Sequence, residues 1–186
     1  MNQGKPASCD GTMHWSSRRS SKAGISMSNL SSISQYLEHD HQYCDDLYMQ
    51  AEEHVAETRL AEGAAALQRF MLAFELHLTR EEHLLFPELE KHLGSQGGPT
   101  AVMRMEHEQM RAILRQMLGA IEHADIDSFF DFADHLRMLM RQHNLKEENV
   151  LYPMADRILG ASSTAMLEQL SDTSLPVQNP AQGVAA

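Results

Sequence analysis

Apolar residues recur along most of this chain at alternating steps of three and four positions, which is the spacing of a helix that buries one face. The pattern predicts four long helices over about 29–57, 60–93, 99–123 and 125–159. The buried faces are predicted to hold Ile33, Leu37, Cys44, Tyr48, Ala51, Val55, then Phe70, Phe74, Leu84, then Met103, Met110, Leu114, Met117, Ile121, and finally Leu136, Met140, Val150. Because short loops between long helices favour antiparallel neighbours, the predicted fold class is all-α, an up-down antiparallel four-helix bundle.

Local signals mark where these helices are expected to begin and end. Gly94 is suited to end the second helix, and Pro99 is suited to the first turn of the third. Either Asp125 or Asp127 can cap the start of the fourth helix.

One segment of the chain is written twice. "HLTREEHLLFPELEKHLG" at 77–94 and "HNLKEENVLYPMADRILG" at 143–160 share His, Glu, Glu, Leu, Pro, Leu and Gly at an offset of 66. The same offset maps the first predicted helix onto the third, which indicates that the bundle is built from two helical-hairpin repeats. Each copy carries a proline inside a predicted helix, Pro87 or Pro153, which should kink or divide that helix because proline lacks an amide N–H.

Polar residues interrupt each apolar face without breaking its spacing. They are His41 on the first helix, His77 and Glu81 on the second, His107 on the third, and His143 and Glu147 on the fourth. A buried carboxylate must be paired, protonated or bound to a cation, because burying a bare charge is costly. A glutamate four residues after a histidine lies roughly 40° away on the same face, whereas the next residue lies roughly 140° away. Glu82 and Glu148 are therefore expected to meet solvent.

These six residues are also predicted to lie at one height in the bundle. The spacings from one helix's histidine to the next are 36, 30 and 36 residues, about one helix plus one loop each time. Imidazole and carboxylate groups in one layer describe a two-metal site, and these ligands suit iron, with manganese or zinc as alternatives. Two bridging glutamates and a bridging oxide, hydroxide or water leave one position per octahedral ion for a small molecule.

Length and composition add a domain layout and exclude some functions. The chain has 186 residues, enough for one domain with tails, and we expect a disordered tail at 1–27, the bundle at 28–160, and a short helix near 163–170 within a C-terminal tail at 161–186. A net charge of −11 argues against nucleic acid as a partner. No apolar run is long enough to span a membrane, and two cysteines fit a reducing, cytoplasmic setting.

The motifs resemble those of the hemerythrin-like family, the HHE cation-binding domains, over roughly 28–160. The resemblance is carried by "DH" at 40–41, "HLTREEHLLFP" from 77, "EH" at 106–107 and "HNLKEENVLYP" from 143. It implies a four-helix bundle around a non-haem di-iron centre with two iron ions per chain and an oxo or hydroxo bridge. The metal positions of the family match His41, His77, Glu81, His107, His143 and Glu147.

Two departures from the oxygen-carrying members bear on function. Those carriers have a second histidine one turn away on the third helix, where this chain has Met103 and Arg111. Their last carboxylate lies five residues after the final histidine, which would be Glu148, while the internal repeat favours Glu147. The set of four histidines and two glutamates is more similar to the iron–sulfur repair and nitric-oxide-responsive members.

The expected function is binding of O2, NO or peroxide at an open di-iron centre, in redox or nitrosative stress response or in iron handling. The alternatives are an iron or oxygen sensor that acts through a separate protein, a reversible oxygen carrier, and a small peroxidase-like or oxidase-like enzyme. Cys44 is expected to be a packing residue and could alternatively be a redox thiol. Tyr48 is also expected to pack, and its alternative role is a buried phenol that donates an electron to oxidised iron. Six further histidines lack the support of the repeat and are expected to be exposed or hydrogen-bonded: His39, His54, His83, His92, His123 and His135.

Overall fold

The computed structural model describes residues 31–94 and 98–175, and this part of the chain is all-helical. The tail expected at 1–27 lies outside the described residues, as does the chain from 176 onward. The helices are α1 (Ile33–Ala56), α2 (Leu60–Arg80), α3 (Phe86–Leu93), α4 (Pro99–Glu122), α5 (Ile126–Lys146), α6 (Tyr152–Leu159) and α7 (Ser163–Asp172). Two π-helical turns, π1 (Glu81–Leu85) and π2 (Glu147–Leu151), join α2 to α3 and α5 to α6.

Several helix ends follow the expected local chemistry. Gly94 adopts a left-handed conformation with φ of 66° at the end of α3, and Pro99 is the first residue of α4. Asp125, rather than Asp127, caps α5, because its side chain accepts a hydrogen bond from the backbone N–H of Ser128.

The two internal prolines are accommodated by the π turns. In π1 the backbone N–H of Phe86 donates to the carbonyl of Glu81, five residues earlier, and Pro87 then occupies the second position of α3. The arrangement ahead of Pro153 is the same. Proline is tolerated in the first turn of a helix, where its missing N–H would have no intrahelical partner. The backbone therefore stays in the right-handed helical conformation through Leu85 and Phe86, and again through Leu151 and Tyr152.

The π turns also change which residues face the core. An uninterrupted α-helix places Val150 on the buried face, but its side chain is 58% exposed, and Leu151 is 2% exposed instead. In the first copy Leu85 is fully buried and Leu84 only partly so. The prediction for Val150 was wrong because a π turn holds one more residue than an α turn, which moves the buried position forward by one.

Two apolar clusters lie on either side of a layer of buried polar groups. One cluster, between α1, α2, α4 and α5, contains Cys44, Phe70 and Met110, and the other contains Leu37 and Tyr152. The six predicted residues, hereafter the polar layer, fall between these clusters along each helix. α1 packs against α2, α4 packs against α5, and α7 packs against α1 and π1. Among the described residues, no helix combines the length and hydropathy needed to cross a bilayer.

Candidate metal centre

The structure brings all six residues of the polar layer together. Helices α1, α2, α4 and α5 each contribute a histidine, and the two glutamates are the first residues of π1 and π2. None of the six is more than 5% exposed, and both glutamates are fully buried. The layer consists of His41, His77, Glu81, His107, His143 and Glu147.

The four imidazole rings form two pairs. The Nε2 atoms of His41 and His77 are 3.1 Å apart, and those of His107 and His143 are 3.0 Å apart. We refer to these as the first pair and the second pair. The rings within each pair meet edge to face, with centroids 4.6 and 4.7 Å apart, so that both Nε2 atoms of a pair point at one small volume.

Both glutamates reach both pairs. Oε2 of Glu81 lies 3.5 Å from His77 Nε2 in the first pair and 3.3 Å from His107 Nε2 in the second. Glu147 contacts one pair with each oxygen: Oε2 lies 3.3 Å from His41 Nε2, and Oε1 lies 3.1 Å from His143 Nε2. Each carboxylate is therefore placed to share a metal cation with the histidines of either pair.

A second ring of carboxylates faces the outer nitrogens of the histidines. In three of the four cases the histidine Nδ1 is within hydrogen-bond distance of a glutamate: His41 and Glu148 at 2.8 Å, His107 and Glu82 at 2.7 Å, and His143 and Glu106 at 2.8 Å. In the fourth, Nδ1 of His77 lies 3.6 Å from Asp40. Because an ionised carboxylate can only accept a hydrogen bond, the nitrogen that faces it carries the proton. In a neutral ring the Nε2 lone pair then points into the centre, as metal ligation requires.

The prediction that Glu82 and Glu148 meet solvent was wrong for Glu82, whose side chain is 16% exposed, and only partly right for Glu148, whose side chain is 36% exposed. Both are partly buried, and each binds a histidine of a neighbouring helix, since a direction away from one helix's core face still points at an adjacent helix in a bundle. Arg111 holds Glu82 through two bonds of 3.0 and 3.1 Å. Glu147, and not Glu148, lies between the histidine pairs.

The donors in the centre fit a pair of cations. Glu81 Oε2 and Glu147 Oε1 are buried and have no hydrogen-bond partner among the described residues. Two inward lone pairs only about 3 Å apart repel each other unless a proton or a cation lies between them. Imidazole and carboxylate donors suit divalent transition metals, and the geometry separates into two groups: Glu81, His107, His143 with Glu147, and His41, His77 with Glu147.

Protons take the place of cations in the metal-free protein. Burial lowers the pKa of His41, but hydrogen bonds to Glu147 and Glu148 outweigh it and raise the pKa to about 10. Burial also lowers the pKa of His107, but its 3.3 Å contact with Glu81 and its hydrogen bond to Glu82 outweigh burial and raise the pKa to about 9. Burial opposes ionisation of Glu147, yet its histidine partners hold its pKa well below the usual value. Positive charge on His41 and His107 therefore lies beside the buried carboxylates when no cation is bound.

Sequence reasoning missed Tyr152. Its hydroxyl lies 2.7 Å from Glu81 Oε1, 3.0 Å from Glu147 Oε2 and 3.1 Å from His41 Nε2. The offset of 66 pairs this residue with Phe86, whose ring stacks on His107 with centroids 5.8 Å apart. The sequence did hold a signal for this role: Phe86 and Tyr152 are equivalent in the repeat but differ by one hydroxyl group. Tyr152 directly follows π2, the turn that begins at Glu147.

Other candidate residues lie outside the centre. Cys44 is a buried member of the apolar cluster, and the Tyr48 hydroxyl donates to the carbonyl of Ala133 at 2.8 Å. His92 and His123 bind backbone carbonyls of their own helices. The remaining extra histidines, His39, His54, His83 and His135, are exposed or partly buried.

Comparison with known protein families matches residues 32–155 to hemerythrin, described as the hemerythrin HHE cation binding domain. No curated protein and no solved structure gave a match. The matched region is two thirds of the 186 residues and includes every residue of the polar layer. The chain therefore belongs to the hemerythrin HHE cation-binding family, and its helical bundle is a metal-cation-binding domain.

Proposed function

We propose that the polar layer holds two iron ions per chain and that the centre binds O2, NO or peroxide. The observation that carries this proposal is the placement of two fully buried glutamates, each with an unpartnered oxygen, between two inward-facing imidazole pairs. Iron is favoured because its coordination preferences accept mixed imidazole and carboxylate ligands, while thiolate ligands are lacking. Cys44, the only cysteine among the described residues, is not among the inward donors.

A role in redox or nitrosative stress, or in iron handling, is favoured over reversible oxygen carriage. The carriers of this family have an additional histidine on the third helix. Here Met103 packs in an apolar cluster, and Arg111 is bound to Glu75, Glu82 and Glu108. A centre with fewer protein ligands leaves more metal positions for exogenous molecules and for exchange.

We also propose that the bundle is an up-down antiparallel arrangement of two copies of one helical hairpin. The short turns support this, since Thr58 and Ala124 are 66 residues apart and both have positive φ angles, 59° and 53°. The π turns begin at Glu81 and Glu147, again 66 apart. In this arrangement each hairpin contributes two histidines and one glutamate.

Metal analysis and visible spectroscopy of protein purified without oxygen would test the proposed function. We expect two irons per chain and a new charge-transfer band on exposure to air, NO or peroxide. A band that appears and disappears reversibly with oxygen would instead support carriage, and iron release on NO exposure would support iron donation. A sensor would keep its iron and would bind a separate protein either before or after exposure to the small molecule, but not in both states.

The decisive variant combines Glu81→Ala with Glu147→Ala. Without the bridging carboxylates we expect iron content to fall close to zero, because the imidazole pairs alone cannot neutralise two divalent ions. The matched control combines Glu53→Ala with Glu122→Ala, two exposed glutamates on α1 and α4, and should retain both irons. Full iron content and an unchanged spectrum in the first variant would overturn the proposal.

A further inference from the structure

The two halves of the centre are not equally built, although the repeat relates them residue by residue. We propose that Asp40 and Tyr152 weaken the half beside the first pair, His41 and His77, so that the cation there exchanges before the one beside the second pair. This inference rests on the proposed function, that the centre holds two metal ions. Its support comes from the carboxylates behind the histidines, from the inner donors and from a cavity.

The outer carboxylate of His77 is one methylene shorter than its repeat counterpart. Asp40 and Glu106 are 66 residues apart and occupy the same place in the two halves. Glu106 lies 2.8 Å from His143 Nδ1, whereas Asp40 lies 3.6 Å from His77 Nδ1, which has no hydrogen-bond partner within the described part of the chain. Such outer partners orient a histidine and strengthen it as a ligand, and losing one typically costs 10–100-fold in metal affinity.

The outer carboxylate of His41 is also less firmly held than its counterpart. Glu82, behind His107 in the second pair, is anchored by Arg111 and is 16% exposed. Glu148, behind His41, is 36% exposed, and the position that corresponds to Arg111 at the offset of 66 is the acidic Asp45. A carboxylate at position 45 cannot donate hydrogen bonds to Glu148 as the Arg111 guanidinium donates to Glu82.

The inner donors show the same imbalance. The two carboxylate oxygens without partners, Glu81 Oε2 and Glu147 Oε1, lie 3.3 and 3.1 Å from Nε2 atoms of the second pair. Four residues of that half offer ligand atoms within 4.8 Å of one another, against three residues in the half beside the first pair. The Glu147 oxygen nearer the first pair is 3.0 Å from the Tyr152 hydroxyl, which also lies 3.1 Å from His41 Nε2. A cation at this half must compete with the hydroxyl for the same donors.

A cavity lies beside the weaker half and is lined by Asp40. It has a volume of about 260 Å³ and is bounded by Asp40, Cys44 and Arg80, with Tyr43 at its rim. Tyr43 is 54% exposed, so that the cavity meets the surface between α1 and α2. Asp40 thus faces both the cavity and His77, which places an acidic group between solvent and the first pair.

Reciprocal substitutions at Asp40 and Glu106 test the inference. Protein loaded anaerobically with Fe(II) is challenged with increasing concentrations of a chromophoric ferrous chelator, and iron release is followed by absorbance. For the wild type we expect two releases of one iron each, separated by at least about tenfold in chelator concentration. Asp40→Glu should move the early release towards the late one, and Glu106→Asp should move the late release towards the early one.

A second variant tests Tyr152 separately. Tyr152→Phe matches the natural Phe86 of the other half and should delay the early release, because no hydroxyl then competes for the donors of the first pair. Circular dichroism of each metal-free variant checks that the bundle is folded. Iron released in a single step from the wild type, or an effect of Glu106→Asp on the early release alone, would overturn the inference but leave the two-iron proposal standing. Loading of fewer than two irons would overturn the proposed function and this inference together.

Discussion

Buried polar side chains of this bundle are either paired with a charge or kept neutral. Burial raises the pKa of Asp40, but its contact with His77 and the bond that the Arg80 guanidinium donates to it at 2.7 Å outweigh burial and lower that pKa. Cys44, one turn further along α1, has no such partner. Burial, followed by the nearby charges of Asp40 and Asp45, raises the pKa of its thiol far above the ordinary value. A carboxyl group is intrinsically far more acidic than a thiol, and the surroundings widen that difference by lowering the pKa of Asp40 and raising the pKa of Cys44.

Alkylation of Cys44 tests this difference. In a Cys9→Ser variant only Cys44 can react, and iodoacetamide at pH 8 should modify it at least about tenfold more slowly in native protein than in urea-unfolded protein, because the thiolate is the reacting form. Mass spectrometry over time measures both rates. Equal rates would mean that Cys44 is accessible and ionised, and would restore the alternative of a redox thiol.

At the scale of the helices, close contact at the first hairpin depends on a glycine. Gly63 lies in the first turn of α2, and a Cβ atom at this position would meet Val55 Cγ2 of α1 at 2.7 Å. Val55 is fully buried, so it has little room to move away. Gly119 of α4 is a contrasting case, because a Cβ atom there would meet nothing within 4 Å.

Alanine substitutions at the two glycines should therefore have opposite effects. We expect Gly63→Ala to lower the free energy of unfolding by about 1–3 kcal/mol through overpacking, and Gly119→Ala to raise it by about 0.5–1 kcal/mol through helix propensity. Urea unfolding measures both. Combining Gly63→Ala with Val55→Ala should cost less than the sum of the single changes, since the clash then disappears. Additive losses would contradict the proposed contact.

At the scale of the whole molecule, the buried centre couples folding to the supply of positive charge. In metal-free protein that charge comes from protons on His41 and His107, whose pKa values are raised from 6.5 to about 10 and about 9. A group with a raised pKa in the folded state contributes stability below its unfolded value, and this contribution is lost as pH rises towards the folded value. The metal-free bundle should therefore become less stable between about pH 6.5 and 10.

Urea unfolding of chelator-treated protein from pH 6 to pH 9 checks this dependence. The free energy of unfolding should fall by about 3 kcal/mol or more across this range, while metal-loaded protein should change little because cations have replaced the protons. His135→Ala, which alters an exposed histidine, should leave the slope unchanged. A flat profile for the metal-free wild type would show that protons do not neutralise the centre.

The periodicity of the sequence by itself determined the helical class and the residues that share one buried layer. A helix turns by a fixed angle per residue, so His41 falls between two core positions whatever packs against it. The repeat then fixed its counterpart, His107, at the same height. The ends at Gly94 and Pro99 were predictable for the same reason, because their backbone requirements are local.

Tertiary structure decided everything that depends on a neighbouring helix or on a departure from regular geometry. Periodicity gives the direction of a side chain around its own axis but not what lies in that direction, so Glu82 and Glu148 were assigned to solvent although histidines of other helices bind them. The π turns shifted burial from Val150 to Leu151, because hydrogen bonds to the fifth preceding residue add one residue to the turn. The same turn precedes Tyr152, whose hydroxyl contacts both Glu81 and Glu147. These contacts arise only when separate parts of the chain pack together.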